Sequence, residues 1–417
     1  MKENFTSKKK VFSWALFDFA NQPFSTIIIT FIFSTYFISN IGNASLWSLT
    51  IGISSLMIAF FSPFIGAVAD VSNTRNFMFK LFTYLCVISC FFLYLPPSTS
   101  SVLYSLTFVI IANFSFEISC MFYNSYLSEI STKRNIGRIS GYAWGLGFFG
   151  GVLSLLIVKS LFNLESTNIN ISQSIREINL FIGVWFLIFS IPFFYIIRNR
   201  NRKSPHSYSL LVIKDQFVNS YNEIRKTFNE VRKYKKIAKF LLSRLFYNDA
   251  LITIFAFGGS FAEQVLGFDI ADVILFAIVL NVSAGIGSFI FGFIEDKVGA
   301  VRIIDFSLKG LILATFLAFV SPFLYYDIQL FWIAGIMLGL LVGPVQSASR
   351  SLMAQMIPEN KKNEFFGFFS FTGKATAMIG PFIYGLVFDN VDKILSILVV
   401  LVLFSIGYLI FDNFRDN

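Results

Sequence analysis

Residues 292–302 read GFIEDKVGAVR, and 226 positions earlier the chain reads GAVADVSNTR over residues 66–75. Gly66 corresponds to Gly292 and Asp70 to Asp296, and at the same offset Gly141 corresponds to Gly367. Each short polar segment is flanked by long apolar stretches. A repeat that spans about half the chain, punctuated in this way, is the pattern of a membrane protein made of two duplicated helical bundles.

Working outward, the composition agrees. Of 417 residues, 55% are hydrophobic and 14% charged, against roughly 25% charged in a soluble domain. A hydrocarbon core about 30 Å thick takes roughly 20 apolar residues per helical span. Such stretches are expected at 11–38, 46–69, 76–95, 101–127, 138–162 and 178–197, then at 239–266, 270–293, 300–323, 328–350, 365–388 and 394–411. The fold class is therefore an all-α membrane protein of twelve transmembrane helices in two pseudo-symmetric six-helix bundles. Residues 1–197 form the first bundle, 198–238 a basic linker and 239–417 the second. The first stretch contains Asp18 and is too long for a cleaved leader, so it reads as a retained helix. The fifth and eleventh are the least apolar, with glycines and serines throughout, which suits helices packed against protein.

The net charge of +9 would suggest nucleic acid in a soluble protein. Here the bases lie between apolar segments, where anionic lipid headgroups sit, so membrane lipid is the expected partner and nucleic acid is not. Basic residues alternate by connection: Lys8 to Lys10, Arg75 with Lys80, Lys133 with Arg134 and Arg138, the central loop, Lys297 with Arg302, and Lys361 with Lys362. The other connections are mostly acidic, which puts both termini in the cytoplasm. In the linker, Phe217, Tyr221, Ile224, Phe228 and Val231 recur at helical steps among bases. This is a basic amphipathic helix, either lying on the inner membrane surface or serving as a solvated tether. Cys86, Cys90 and Cys120 all fall in apolar stretches and His206 is the lone histidine, so neither a metal site, a disulfide framework nor histidine catalysis is expected. The GKA at 373–375 lacks the Ser or Thr and the upstream glycine of a phosphate loop, so no nucleotide, and no other cofactor, is expected. Richness in Phe, Ile, Asn and Lys points to an AT-rich genome and a bacterial inner membrane.

Glycine, three residues, aspartate, two residues, glycine and a following arginine, between the second and third spans, resembles the signature loop of the major facilitator superfamily. The second copy, with Asp296, Gly299 and Arg302, is the closer match; in the first, Asn73 replaces the inner glycine. Asparagine also tolerates the left-handed conformation, so the turn is expected to survive. WALFDFANQPFSTII (14–28), GRISGYAWGLGFFGG (137–151), RLFYNDALITIFAFGGSFA (244–262), GPVQSASRSLMAQMIPE (343–359) and EFFGFFSFTGKATAMIGP (364–381) narrow the likeness. They are similar to the branch of fungal autophagy-related vacuolar amino-acid effluxers and their bacterial relatives. Phe19 stands where that branch has tryptophan, and Gln22-Pro23 where it has small residues. The resemblance implies that helices 1, 4, 7 and 10 line a central cavity.

An ionisable group near the bilayer centre costs at least about 2.5 kcal/mol on insertion scales and invites a functional explanation. Asp249 and Lys374 each lie about ten residues into a span, roughly 15 Å deep. They are the leading candidates for a substrate or proton pathway, or else a permanent structural ion pair. Asn248 stands beside Asp249. Asp18, followed by Asn21 and Gln22, either joins the pathway or serves an inner gate, for which Arg244, at the repeat offset from Asp18, is the expected counterpart. Glu117 is a candidate proton site, with Asn124 further along the same span, while Glu129 is expected to join the basic loop at Arg134. Gln346 and Arg350 end the tenth span, where Arg350 is expected to snorkel to the interface. Asp70 with Arg75, and Asp296 with Arg302, read as conformational latches.

These features point to a secondary active transporter of a small polar solute such as amino acids, linked to protons or another gradient ion and acting as a monomer. A non-transporting scaffold or receptor that recruits a partner through the central basic helix is the alternative. No nucleophile with a base is visible, so an enzyme is not expected.

Overall fold

In the computed structural model, residues 7–94, 102–162, 168–196, 231–375 and 379–415 are described. Of the amphipathic segment expected from Phe217 to Val231, all but Val231 lies outside them. Among the described residues all regular structure is helical, as expected where lipid offers no partner to an exposed backbone group.

The second to sixth spans are Ala44–Ser72, Arg75–Phe92, Val102–Ser125, Ile136–Leu161 and Asn168–Ile196. The seventh to tenth are Lys235–Leu266, Ile270–Val298, Ala300–Val320 and Asp327–Met356, and the twelfth is Ile397–Arg415. Two spans depart from a plain helix. The first runs as an α-helix from Lys8 to Pro23 and then passes through π-helical turns at Phe24–Phe31 and Phe37–Ile41. The eleventh is two shorter helices, Lys362–Lys374 and Ile379–Asn390. At 13 and 12 residues, neither could cross roughly 30 Å of hydrocarbon alone. Among the described residues eleven helices are therefore long and apolar enough to span, and the two shorter helices take the place of the remaining expected span.

The chain divides into two compact units. One holds Met1–Ile130, Leu146–Thr227 and Pro358–Ser370; the other holds Ser131–Gly145, Phe228–Ile357 and Phe371–Asn417. Each unit uses the same internal pairings. In the first unit the first span packs on the sixth, and the fourth on the second and third; in the second unit the seventh packs on the twelfth, and the tenth on the eighth and ninth. The first unit is centred on aromatics: Phe17 touches Phe79, Tyr123, Phe186 and Phe193. Trp14 stacks on Tyr123 and donates its indole N–H to the Tyr123 carbonyl at 3.0 Å. In the second, Phe268, Phe276, Phe331 and Trp332 cluster, and buried Tyr247 and Ser349 share a 2.7 Å hydrogen bond.

The repeat read from the sequence recurs in space. Gly141 lies against the backbone of Ser288 and Gly292 in the second unit, and Gly367 against that of Ser62 and Pro63 in the first. Both glycines and both serines are 226 residues apart. Ser62 donates its hydroxyl to the Gly367 carbonyl at 2.9 Å. Asn73 does adopt the left-handed conformation, with φ 53°, as its place in the turn requires.

Neither glycine contact leaves room for a Cβ. Gly141→Ala and Gly367→Ala should each cost about 1–3 kcal/mol through overpacking, read as a lower thermal midpoint in detergent. Gly258→Ala, where a Cβ meets nothing within 4 Å, should leave the midpoint unchanged.

Candidate functional site

In the second unit, Arg244 and Asn248, four residues apart, share one face of the seventh span, and Asp249 follows next in the chain. All three are buried, Asp249 to 2% exposure. What they meet is the eleventh span, near the end of Lys362–Lys374 and the first residues of Ile379–Asn390. Where a helix stops, its last carbonyls and the first N–H groups of the next segment lose their intrahelical partners. Asn248 donates its amide to the carbonyl of Gly373 at 3.2 Å, and the Asp249 carboxylate accepts from the backbone N–H of Gly380 at 2.9 Å. The pairing matches in sign: a donor meets the carbonyl end of one half-helix, and an anion meets the amide end of the other. Arg244 donates to the Thr372 hydroxyl at 3.0 Å, and Gln346 of the tenth span donates to the Asn248 carbonyl oxygen at 3.0 Å. Lys374 is half-buried at the last position of the first half-helix. The second carboxylate oxygen of Asp249 is buried and has no hydrogen-bond partner among the described residues.

In the first unit the corresponding stretch carries Asp18, Asn21 and Gln22. Asn21 donates to Asp18 at 3.3 Å. Gly147 of the fifth span lies against Asp18, just as Gly373 lies against Arg244. Both pairs are related by the 226-residue offset, so an acid and a base occupy equivalent places in the two units. Gly151 faces Gln22 and Thr26. Pro23 lacks the N–H that would bond to the Phe19 carbonyl four residues back; that carbonyl instead accepts from the Trp185 indole at 3.1 Å. The π-helical stretch begins at the next residue. Glu117 and Asn124 are half-buried on the fourth span.

The latch residues find partners other than those expected. In the first unit Asp70 accepts from the Asn363 side chain at 2.6 Å and from the Glu364 backbone N–H at 2.9 Å, in the first turn of Lys362–Lys374. In the second, Asp296 accepts from the backbone N–H groups of Gly137 and Arg138 at 3.0 and 3.2 Å and pairs with the Arg138 guanidinium at 2.5 Å. Residues 137 and 138 stand at the repeat offset from 363 and 364. Each aspartate thus caps a helix amino end, where free N–H groups and the helix dipole both attract an anion.

Arg75 turns instead to Glu129, at 2.7 Å, and lies over the Tyr126 ring at 3.8 Å. Glu129 also approaches Lys362 at 3.6 Å, which corrects its expected place in the Arg134 loop. Arg302 is exposed and does not pair with Asp296. Arg350 does not snorkel: it is 3% exposed and donates to the Ser140 hydroxyl at 3.0 Å and the Ser140 carbonyl at 2.8 Å. Sequence reading passed over Thr372, Gly380, Ser140 and Glu295. The one available signal was Gly380-Pro381, since proline is favoured near a helix start and not within one.

The family model described as vacuole effluxer Atg22 like matches residues 34–414. The chain belongs to that family. It is 25% identical to the uncharacterized MFS-type transporter YxiO of Bacillus subtilis, over 98% of this chain and 95% of that protein. It is 26% identical to autophagy-related protein 22 of Kluyveromyces lactis, over 67% of this chain and 57% of that protein. A third relative, autophagy-related protein 22 of Yarrowia lipolytica, is 26% identical over 69% of this chain and 53% of its own length. The chain thus spans little more than half of these fungal relatives. Among solved structures, a bacterial homologue of the iron transporter ferroportin superposes with a TM-score of 0.75 at 14% identity, covering 98% of this chain and 99% of that one. The MFS proton:xylose symporter XylE does so with a TM-score of 0.74 at 11% identity, covering 96% and 94%. The fold is that of the major facilitator transporters. The family member described here is a multi-pass membrane transporter, and its relatives are named as transporters, not enzymes.

Removing either capping aspartate should loosen its helix. Asp70→Ala should raise amide hydrogen exchange over residues 363–366, and Asp296→Ala over 137–140. The cost should be about 0.5–2 kcal/mol each, as for a lost N-cap.

Proposed function

We propose that the chain is a secondary active transporter that moves a small polar solute by alternating access, driven by protons or another gradient ion. Amino acids are the first solute class to test. The observation that carries this reading is that Asn248 and Asp249 of the seventh span bond to the backbone of Gly373 and Gly380 in the two described helices of the eleventh. Transporters place substrate and ion sites at discontinuous helices, because unwound backbone and half-helix ends offer oriented partial charges away from water. Arg244, Asn248, Asp249, Gln346 and Lys374 form the pathway in the second unit. Asp18, Asn21, Gln22, Glu117 and Asn124 supply its counterpart in the first. Acidic and basic groups together suit a zwitterion, and membership of a family described as vacuole effluxers favours export.

In this reading residues 1–197 and 239–417 move as two six-helix bundles joined by the linker 198–238. Asp70 and Asp296 are the latches: the caps they provide hold one conformation and break in the other, with Arg75 bracing the first through Glu129. Arg302 contributes basic charge at the membrane surface. The chain acts as a monomer in a bacterial inner membrane, with both termini cytoplasmic.

The test is flux into proteoliposomes under an imposed proton gradient, screened with pooled radiolabelled amino acids. Gradient-dependent uptake or efflux is expected, falling at least about tenfold, or 1.4 kcal/mol, in Asp249→Asn. Full pH-dependent flux in that variant would remove Asp249 from the pathway. No flux at all, with a protein partner co-purifying through residues 210–236, would favour the scaffold.

A further inference from the structure

Glu295, immediately before the latch residue Asp296, takes no part in the pathway described above. It is 3% exposed, and among the described residues neither carboxyl oxygen has a hydrogen-bond partner. Its side-chain carbons lie against the Cα of Gly137, at the start of the fifth span, where a Cβ would be only 2.6 Å from the Glu295 Cβ. The charged groups around it are Asp296 on its own helix, Arg138 on the fifth span and Arg350 on the tenth. Arg138 is paired with Asp296, and Arg350 donates to both Ser140 oxygens. No cation lies within ion-pair distance of Glu295 among the described residues.

Ser351 lies beside the carboxyl group, but its hydroxyl proton is already donated to the Ser347 carbonyl at 3.0 Å. A hydroxyl has one proton to give, so while Ser351 donates to Ser347 it can only accept from Glu295. While that bond to Ser347 holds, an ionised carboxylate here would have no hydrogen bond and no ion pair among the described residues, only the more distant attraction of Arg350, so its burial is costly. A carboxylic acid fits the same place, because its O–H can be donated to Ser351.

We propose that Glu295 binds a proton while Asp296 holds the fifth span, and releases it to water when that contact opens. On opening, Gly137 leaves the carboxyl group and water reaches it. The O–H bond breaks, the proton passes to water at the cytoplasmic end, and the electron pair stays on the carboxylate. Closing reverses each step, so one proton is exchanged per opening. The closed form therefore binds the proton more tightly, and by linkage a low pH at this end favours closure while a high pH favours opening. The inference deepens the proton-linked reading above and rests on it only for placing this proton in a transport cycle.

The test uses the full chain in liposomes without solute. First, the infrared carbonyl band of protonated carboxylic acids is compared at pH 7 between the native protein and Glu295→Gln, and is expected to be weaker in the variant. Second, Ile139→Cys, at a buried site next to Ser140, is introduced with Cys86, Cys90 and Cys120 replaced by Ser. Its maleimide labelling is normalised to Lys133→Cys, an exposed site. Normalised labelling should rise with pH, by up to about tenfold per unit for one linked proton, and should be slow and flat when Glu295→Gln is added. An undiminished carbonyl band, or an unchanged pH slope in Glu295→Gln, would overturn the proposal. Both readouts are independent of flux, so missing transport with these results intact would count against the transporter reading alone.

Discussion

A backbone N–H or carbonyl inside a bilayer has no water to bond with, and the layout of this protein follows from how each interrupted helix meets that demand. Pro23 leaves the Phe19 carbonyl without its helical partner, and Trp185 supplies one. In the eleventh span the Gly373 carbonyl accepts from Asn248 and the Gly380 N–H donates to Asp249. The helices beginning near Gly137 and Asn363 present free amides to Asp296 and Asp70. In each case a side chain from a different span supplies the missing bond, so the polar residues that look most functional are tied to the places where helices stop.

The duplication gives those contacts a common plan. Asp70 and Asp296 cap equivalent helix starts, Gly367 and Gly141 rest on equivalent backbone, and Gly147 and Gly373 lie against Asp18 and Arg244. The plan is kept where geometry is at stake and abandoned where charge is. Asp18 and Arg244 share a position but differ in sign, and Pro23 corresponds to Asp249. A carrier built from two copies needs matching frames in order to move.

Much of this was legible in the chain. Apolar length announced the spans, because the hydrocarbon core sets a fixed number of residues per crossing. The offset between GAVADVSNTR and GFIEDKVGAVR revealed the repeat, and the left-handed turn could be placed at Asn73 from its chemistry. The partners of the polar residues could not be read in the same way. Arg75 with Asp70, and Arg302 with Asp296, are close in sequence, yet the aspartates reach helix ends nearly 300 and 160 positions away. Arg350 resembled a residue free to reach the interface, and only packing shows it closed in against Ser140 and the Trp144 ring.

The sequence by itself determined the number of crossings, the duplication and the buried charges worth attention, because hydrophobic length and residue type are local properties. Only the tertiary structure decided which backbone groups Asp70, Asp249 and Asp296 serve, and that Glu295 sits against the bare backbone of Gly137. Those outcomes depend on which backbone groups remain unsatisfied after the helices pack, and that is a property of the assembled helices, not of any one segment.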